Sequence, residues 1–168
     1  MVFRIFTGTG ISYGNSSVMP YIEQFYSGGS NSIRGFIARS LGPGSYKPVD
    51  YNGIIDQTGD IKLEGNVEYR FAFSKMVLGA LFVDAGNVWL LDQDVNRPGA
   101  EFKFNSFAKQ LAVGTGFGLR FDFDFFVMRL DLGFPLRNSY PGENGSCWLP
   151  SSDVFSGYRL NLAIGYPF

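Results

Sequence analysis

An all-β, antiparallel fold whose strands cross a membrane is predicted by three observations. Long stretches alternate apolar and polar residues with a strict period of two, the connections between them are alternately short and long, and the composition is aromatic and glycine-rich but poor in charge. Gly 22, Phe 18 and Tyr 9 stand among 168 residues, of which 17% are charged. Such usage suits large apolar strand faces joined by tight turns. Lys+Arg 14 against Asp+Glu 15 gives a formal charge of −1, without the basic face that a nucleic-acid binder needs. Histidine is absent, which removes imidazole catalysis and His-ligated metals. Cys147 is the one cysteine, so no intrachain disulfide or Cys-rich zinc site can form. No run of about eighteen apolar residues marks a membrane helix, and residues 1–8 lack the pattern of a signal peptide. No catalytic residue, metal site or cofactor is expected.

Taken in order, about seven strands are expected. The first covers about 2–13, with Phe3, Ile5, Thr7, Thr9 and Ile11 on one face, and a second covers about 19–26. In the third, Ile61, Leu63, Gly65, Val67, Tyr69, Phe71 and Phe73 alternate with Lys62, Glu64, Asn66, Glu68 and Arg70. The fourth, 76–89, begins apolar on both faces and then separates Asp84 and Gly86 from Val83 and Ala85. The fifth sets Val113, Thr115, Phe117, Leu119 and Phe121 against Gly114, Gly116, Gly118 and Arg120; the sixth sets Met128, Leu130, Leu132 and Phe134 against Arg129, Asp131, Gly133 and Pro135. The last runs over 158–168, its period two carried to the final residue.

These strands are long enough to cross a bilayer, for which roughly 9–11 tilted residues suffice. Short turns are expected at 14–18, 74–75 and 122–125, and long Gly-, Pro-, Asn- and Ser-rich loops at 27–59, 90–106 and 138–156. That sorting is the pattern of an outer-membrane barrel with tight periplasmic turns and long outer loops. Tyr166 and Phe168 at one end, with Trp89 and Tyr158 toward the other, are expected to form its interfacial girdles.

Most candidate motifs read better as structure. The glycines at 8, 10 and 14 miss the dinucleotide fingerprint and sit in a strand. The stretch Asp92-x-Asp94-x-Asn96 opens like a calcium loop but carries Arg97 at the sixth position and Lys103 at the twelfth. Asp122 and Asp124 are expected as solvated charge beside a short turn. Gly114, Gly116 and Gly118 share a strand face and would let a loop approach the wall or allow the sheet to bend. One constellation remains: Glu68 and Asp84 fall on the inward faces of neighbouring strands. Two confined carboxylates call for a cation, and Arg34 in the first long loop offers a guanidinium fork. A lumenal charge pair without special role is the alternative.

Gly28-Gly29, then Ile33-Arg34-Gly35-Phe36, then Gly42-Pro43, resembles the loop-six signature of the Omp85 superfamily, also called the bacterial surface antigen family. Gly65-Asn66-Val67-Glu68-Tyr69-Arg70 and Phe82-Val83-Asp84-Ala85-Gly86-Asn87-Val88-Trp89 are similar to its strand-twelve and strand-thirteen motifs, and the stretch from Gly116 to Arg137 followed by a terminal aromatic strand is similar to its last three strands. The resemblance implies a sixteen-stranded barrel in which loop six folds into the lumen, with Arg34 reaching Glu68 and Asp84. It also implies that Tyr166 and Phe168 belong to a C-terminal recognition signal. Residues 1–168 are then expected to be the C-terminal part of the barrel, with upstream strands and periplasmic POTRA repeats absent from this sequence.

By the same resemblance the protein inserts outer-membrane proteins or moves polypeptides across the bacterial outer membrane. Its implied partners are outer-membrane lipid, nascent outer-membrane proteins and periplasmic or inner-membrane assembly subunits, with no nucleic acid. Phe125-Phe126 through Gly133 and the ending Gly165-Tyr166-Pro167-Phe168 look most like the TamA-like assembly branch of Bacteroidetes-type bacteria. Two alternatives remain: the barrel anchor of a patatin-like phospholipase or other surface enzyme, and a passive pore.

Overall fold

A computed structural model describes residues 1–15, 19–47, 57–123, 125–142 and 144–167. Six strands form one antiparallel sheet in sequence order: β1 (Val2–Thr9), β2 (Ile61–Ala72), β3 (Val77–Trp89), β4 (Ala112–Asp122), β5 (Val127–Arg137) and β6 (Arg159–Ile164). A short helix, α1 (Ser151–Ser156), precedes β6. Each strand pairs with its chain neighbour because the connections at 73–76 and 123–126 are tight hairpins, while the longer ones return to the same end of the sheet. None of the helices among the described residues is long and apolar enough to cross a membrane.

The two-residue period sorts side chains onto two faces, and the sorting is inverted relative to a water-soluble sheet. Ile5, Leu81, Leu162 and Ile164 are exposed on the outer face, Ile5 by 81%. Glu64, Asn66, Glu68, Asp84, Arg120, Arg129 and Asp131 are buried on the inner face. Apolar outside and polar inside is the arrangement of a barrel wall against lipid. Register aligns the inner groups: Asn66 is opposite Asp84, Glu68 opposite Phe82, and Arg120 opposite Arg129.

Four expectations need correction. Six strands, not about seven, are present among the described residues. Segment 19–26 is not a strand: Pro20 lacks an N–H, a single 3-10 turn follows at Tyr21–Glu23, and among the described residues only one bridge, Phe25 to Gly59, is made. β1 therefore pairs with β2 across one long connection, and residues 16–18 of the expected short turn lie outside the described residues. β1 stops at Thr9 rather than 13. β6 stops at Ile164 rather than 168, because Gly165 at φ 89° leaves the extended conformation.

The girdle expectation also changes. Trp89 is fully buried, its indole N–H donating to Gln110 Oε1 at 2.7 Å and its ring meeting Phe102 edge-on. Tyr166 turns inward, its ring 4.4 Å from the guanidinium of Arg70 on the inner face of β2. Phe168 lies outside the described residues, as does Asp124. β1 and β6 are the sheet's edges among the described residues.

Candidate functional site

The first long connection folds its segment 27–36 back onto the inner face of the sheet. Gly28 and Gly29, at φ 95° and 94°, make a reversal that side chains resist. The tip is closed by Gly29 N–H to Phe36 O (2.9 Å), Ser32 N–H to Gly29 O (3.1 Å) and Phe36 N–H to Ile33 O (3.1 Å). Ile33 and Phe36 are buried with Leu41 and Ala112 as a small apolar cluster. Between them, the turn presents Arg34 toward the wall.

Arg34 is 1% exposed and grips three strands. Its Nε and Nη2 donate to Asp84 Oδ2 and Oδ1 at 2.8 and 2.9 Å, the two-pronged geometry that favours arginine over lysine. Its backbone N–H donates to the same carboxylate at 3.1 Å. Nη1 donates to Glu68 Oε2 at 2.5 Å and lies 3.8 Å from Asp131 Oδ2. The face of Phe82 lies 3.5 Å beneath the guanidinium carbon, a cation–π contact that strengthens when desolvated. The trio picked out by alternation is thus brought together in space.

The network is larger than that trio. Glu68 also accepts from Arg70 Nε at 2.6 Å and from Arg120 Nη2 at 2.9 Å. Asp131 on β5 pairs with Arg120 and faces Arg129 at 3.5 Å, which separates two cations that the register sets directly opposite one another. Asn66 Nδ2 bridges Asp84 Oδ1 (2.9 Å) and Ser32 O (2.8 Å). A fourth carboxylate, Glu64, holds the other side of the tip, accepting from Ser27 Oγ at 2.9 Å, from Ser32 Oγ, and facing Lys62 Nζ at 3.1 Å. Arg4 Nη1 donates to Asn31 O at 2.9 Å, Arg129 donates to Asn31 Oδ1, and Asn161 Nδ2 donates to Arg34 O at 3.0 Å. Five of the six strands thus hold the tip through hydrogen bonds.

Glycines supply the remaining surface. A Cβ on Gly114 would stand 3.2 Å from Gly35 N, and one on Gly133 would stand 2.7 Å from Arg34 C. Gly35 itself faces Phe134 O at 2.7 Å from its would-be Cβ. The tip's backbone therefore lies directly on β4 and β5, and only unsubstituted positions allow this. Gly116 and Gly118 serve differently from the expectation: they make room for the Phe82 ring and the Arg120 guanidinium. Gly86 sits against the Glu64 side chain, whereas nothing lies within 4 Å of a Cβ on Gly65.

Sequence reasoning named Arg34, Glu68, Asp84 and Phe82 but gave no role to Glu64, Asn66, Arg120, Arg129, Asp131 or Asn161. The available signal was parity: each is a polar group on the side of a membrane strand away from lipid, where such groups are costly unless partnered. Among the described residues no group of three or more His, Cys, Asp or Glu side chains is placed to hold a metal ion. The Asp92–Asn96 stretch is a turn closed on itself, with Asp94 accepting from Arg97 Nε at 2.7 Å and from Asn96 N–H at 2.9 Å. Arg97 holds the Asp94 carboxyl below its ordinary value.

A family model described as the Omp85 superfamily domain matches residues 1–168. Over 82 residues, 46% of this chain, the sequence is 35% identical to the outer membrane protein assembly factor BamA of Neisseria meningitidis serogroup B (strain ATCC BAA-335 / MC58). The matched region spans 10% of that relative's length.

Proposed function

The chain belongs to the Omp85 superfamily, and from that premise we propose that it is the C-terminal barrel part of a factor that inserts outer-membrane proteins or translocates polypeptides. Its place is the bacterial outer membrane, in contact with lipid along the apolar face of β1–β6. The observation that carries the reading is the seating of Arg34 between Glu68 and Asp84, with the whole tip 27–36 pressed on the inner wall. In this reading Ile33-Arg34-Gly35-Phe36 is the loop-six motif, Glu68 and Asp84 are its lumenal partners, and upstream strands complete a sixteen-stranded barrel. A wall whose lumen is filled by its own loop is poorly suited to a passive pore.

The mechanism follows from the edges. A closed barrel leaves no unpaired backbone in lipid. A weakly joined seam at the last strand opens to offer one edge, and an incoming strand adds to it by main-chain hydrogen bonding. β6 suits that role because it is the shortest strand of the sheet, with six residues. The buried loop holds the wall in shape while the seam moves, and no catalytic chemistry is needed. Nascent outer-membrane proteins are the clients, with periplasmic or inner-membrane assembly subunits as partners, and Tyr166 with Phe168 forms the C-terminal signal through which this barrel is itself recognised.

The test is depletion of the full-length protein in its own bacterium, complemented by the wild type or by Arg34→Ala. Folded, heat-modifiable outer-membrane proteins are expected to fall on depletion and to recover with the wild type only. Unchanged outer-membrane protein levels on depletion, with loss of a lipid-hydrolysing activity instead, would overturn the assembly reading in favour of an enzyme anchor.

A further inference from the structure

We propose that Asn161 is a positioning residue that ties β6 to the loop tip, so that release of the edge strand and release of the loop are one event. This deepens the seam reading given above and rests on it for its biological use. Among the described residues β6 is paired on one side only, over the six positions from Arg159 to Ile164. Its outward side chains, Leu160, Leu162 and Ile164, are exposed by 63%, 68% and 78% and contribute nothing to the inner face. Of the inward ones, Asn161 reaches the loop, its Nδ2 donating to Arg34 O at 3.0 Å.

The position of that carbonyl gives the bond its consequence. Arg34 is held by its side chain on β2 and β3 and by its backbone against Gly133 of β5, so its carbonyl has a fixed direction and lies over the β5–β6 pair. Asn161 is in register with Asp131, which itself binds the Arg120 cation and lies 3.8 Å from Arg34. Movement of β6 breaks this bond from the strand side, and lifting of the loop breaks it from the loop side. Either movement loses the same hydrogen bond. The tie is therefore reciprocal: whatever loosens one element loosens the other by the same factor. The tail beyond β6 adds a second link, since Tyr166 lies on Arg70, whose Nε holds Glu68.

Hydrogen exchange of the full-length protein in detergent micelles reads this coupling directly. Asn161→Ala and Asn161→Asp, the latter keeping size but not the donor, are expected to speed exchange in 159–164 and in 27–36 together. The rise is roughly two- to tenfold, the range of one intramolecular hydrogen bond, with β2 and β3 unchanged. Leu162→Ala, which touches only the outer face, is expected to speed loop exchange in the wild type but not once Asn161→Ala is present. A merely structural contact predicts no such dependence. The proposal is overturned if the Asn161 variants free β6 and leave the loop at its wild-type rate, or if exchange rises throughout β2 and β3 as well. Client assembly is scored separately. Coupled exchange without any assembly role would sink the function and leave the tie, and the opposite result would do the reverse.

Discussion

Two loop segments, each carrying one arginine, have opposite fates. Segment 27–36 is rich in Gly and Ser with Arg34 as its single charged residue, whereas segment 90–106 sets Arg97 among Asp92, Asp94, Glu101 and Lys103. In the first, Arg34 bonds carboxylates 34 and 50 residues away on two wall strands and is almost fully buried. In the second, Arg97 bonds Asp94 three residues away and Lys103 pairs with Glu101, while Val95 and Phe104 stay exposed. The difference is where the counter-charge lies. A local partner makes a turn that would persist without the barrel; a distant partner makes the loop part of the wall.

The sharpest way to break this contrast is Arg34→Ala. It leaves Glu68 and Asp84 short of a cation in a buried site, a loss worth about 3–5 kcal/mol. The temperature at which the compact gel band of the full-length protein disappears on heating is expected to fall strongly, and an unchanged value would place the loop's hold elsewhere. Arg34→Lys keeps the charge and loses the fork, so its band is expected to disappear between those of the wild type and Arg34→Ala.

Gly133→Ala is expected to come next, with roughly 1–3 kcal/mol lost to overpacking. Its added methyl would meet the Arg34 and Gly35 backbone at 2.7 and 2.9 Å. Protease cleavage within 27–36 should then appear where the wild type resists it, and continued resistance would show that the tip does not need that close approach.

Arg97→Ala is the smallest of the set. Removing a partner from an exposed pair is expected to leave heat stability unchanged within error. The pH dependence has a definite sign. The Asp94 carboxyl is held below its ordinary value of 3.8, so the pair's contribution is present above that value and is lost as pH falls through the lowered one. Titrating Asp94 by NMR in wild type and Arg97→Ala should show the value return upward in the variant.

The same physics explains what could be read early. Alternation shows which side of each strand meets lipid, so Glu68 and Asp84 were assignable to one interior, and Arg34 was the cation in reach by composition of its loop. Glu64, Arg120 and Asp131 show the same parity, yet nothing in their spacing says which of them meet. Segment 19–26 departs from its expected strand because Pro20 and the pairing of β1 with β2 leave it without a ladder.

By itself the sequence determined the two faces of the sheet, the short turns near 74–75 and 122–125, and the charge types that must share the inner face. These are local properties, set by period and by turn residues. The tertiary structure alone decided the partner of β1, the inward turn of Tyr166, the glycine seat beneath Gly35, and the grip of Asn161 on a carbonyl 127 residues away. Such contacts depend on register and sheet curvature, which fix distances between residues that no sequence spacing relates.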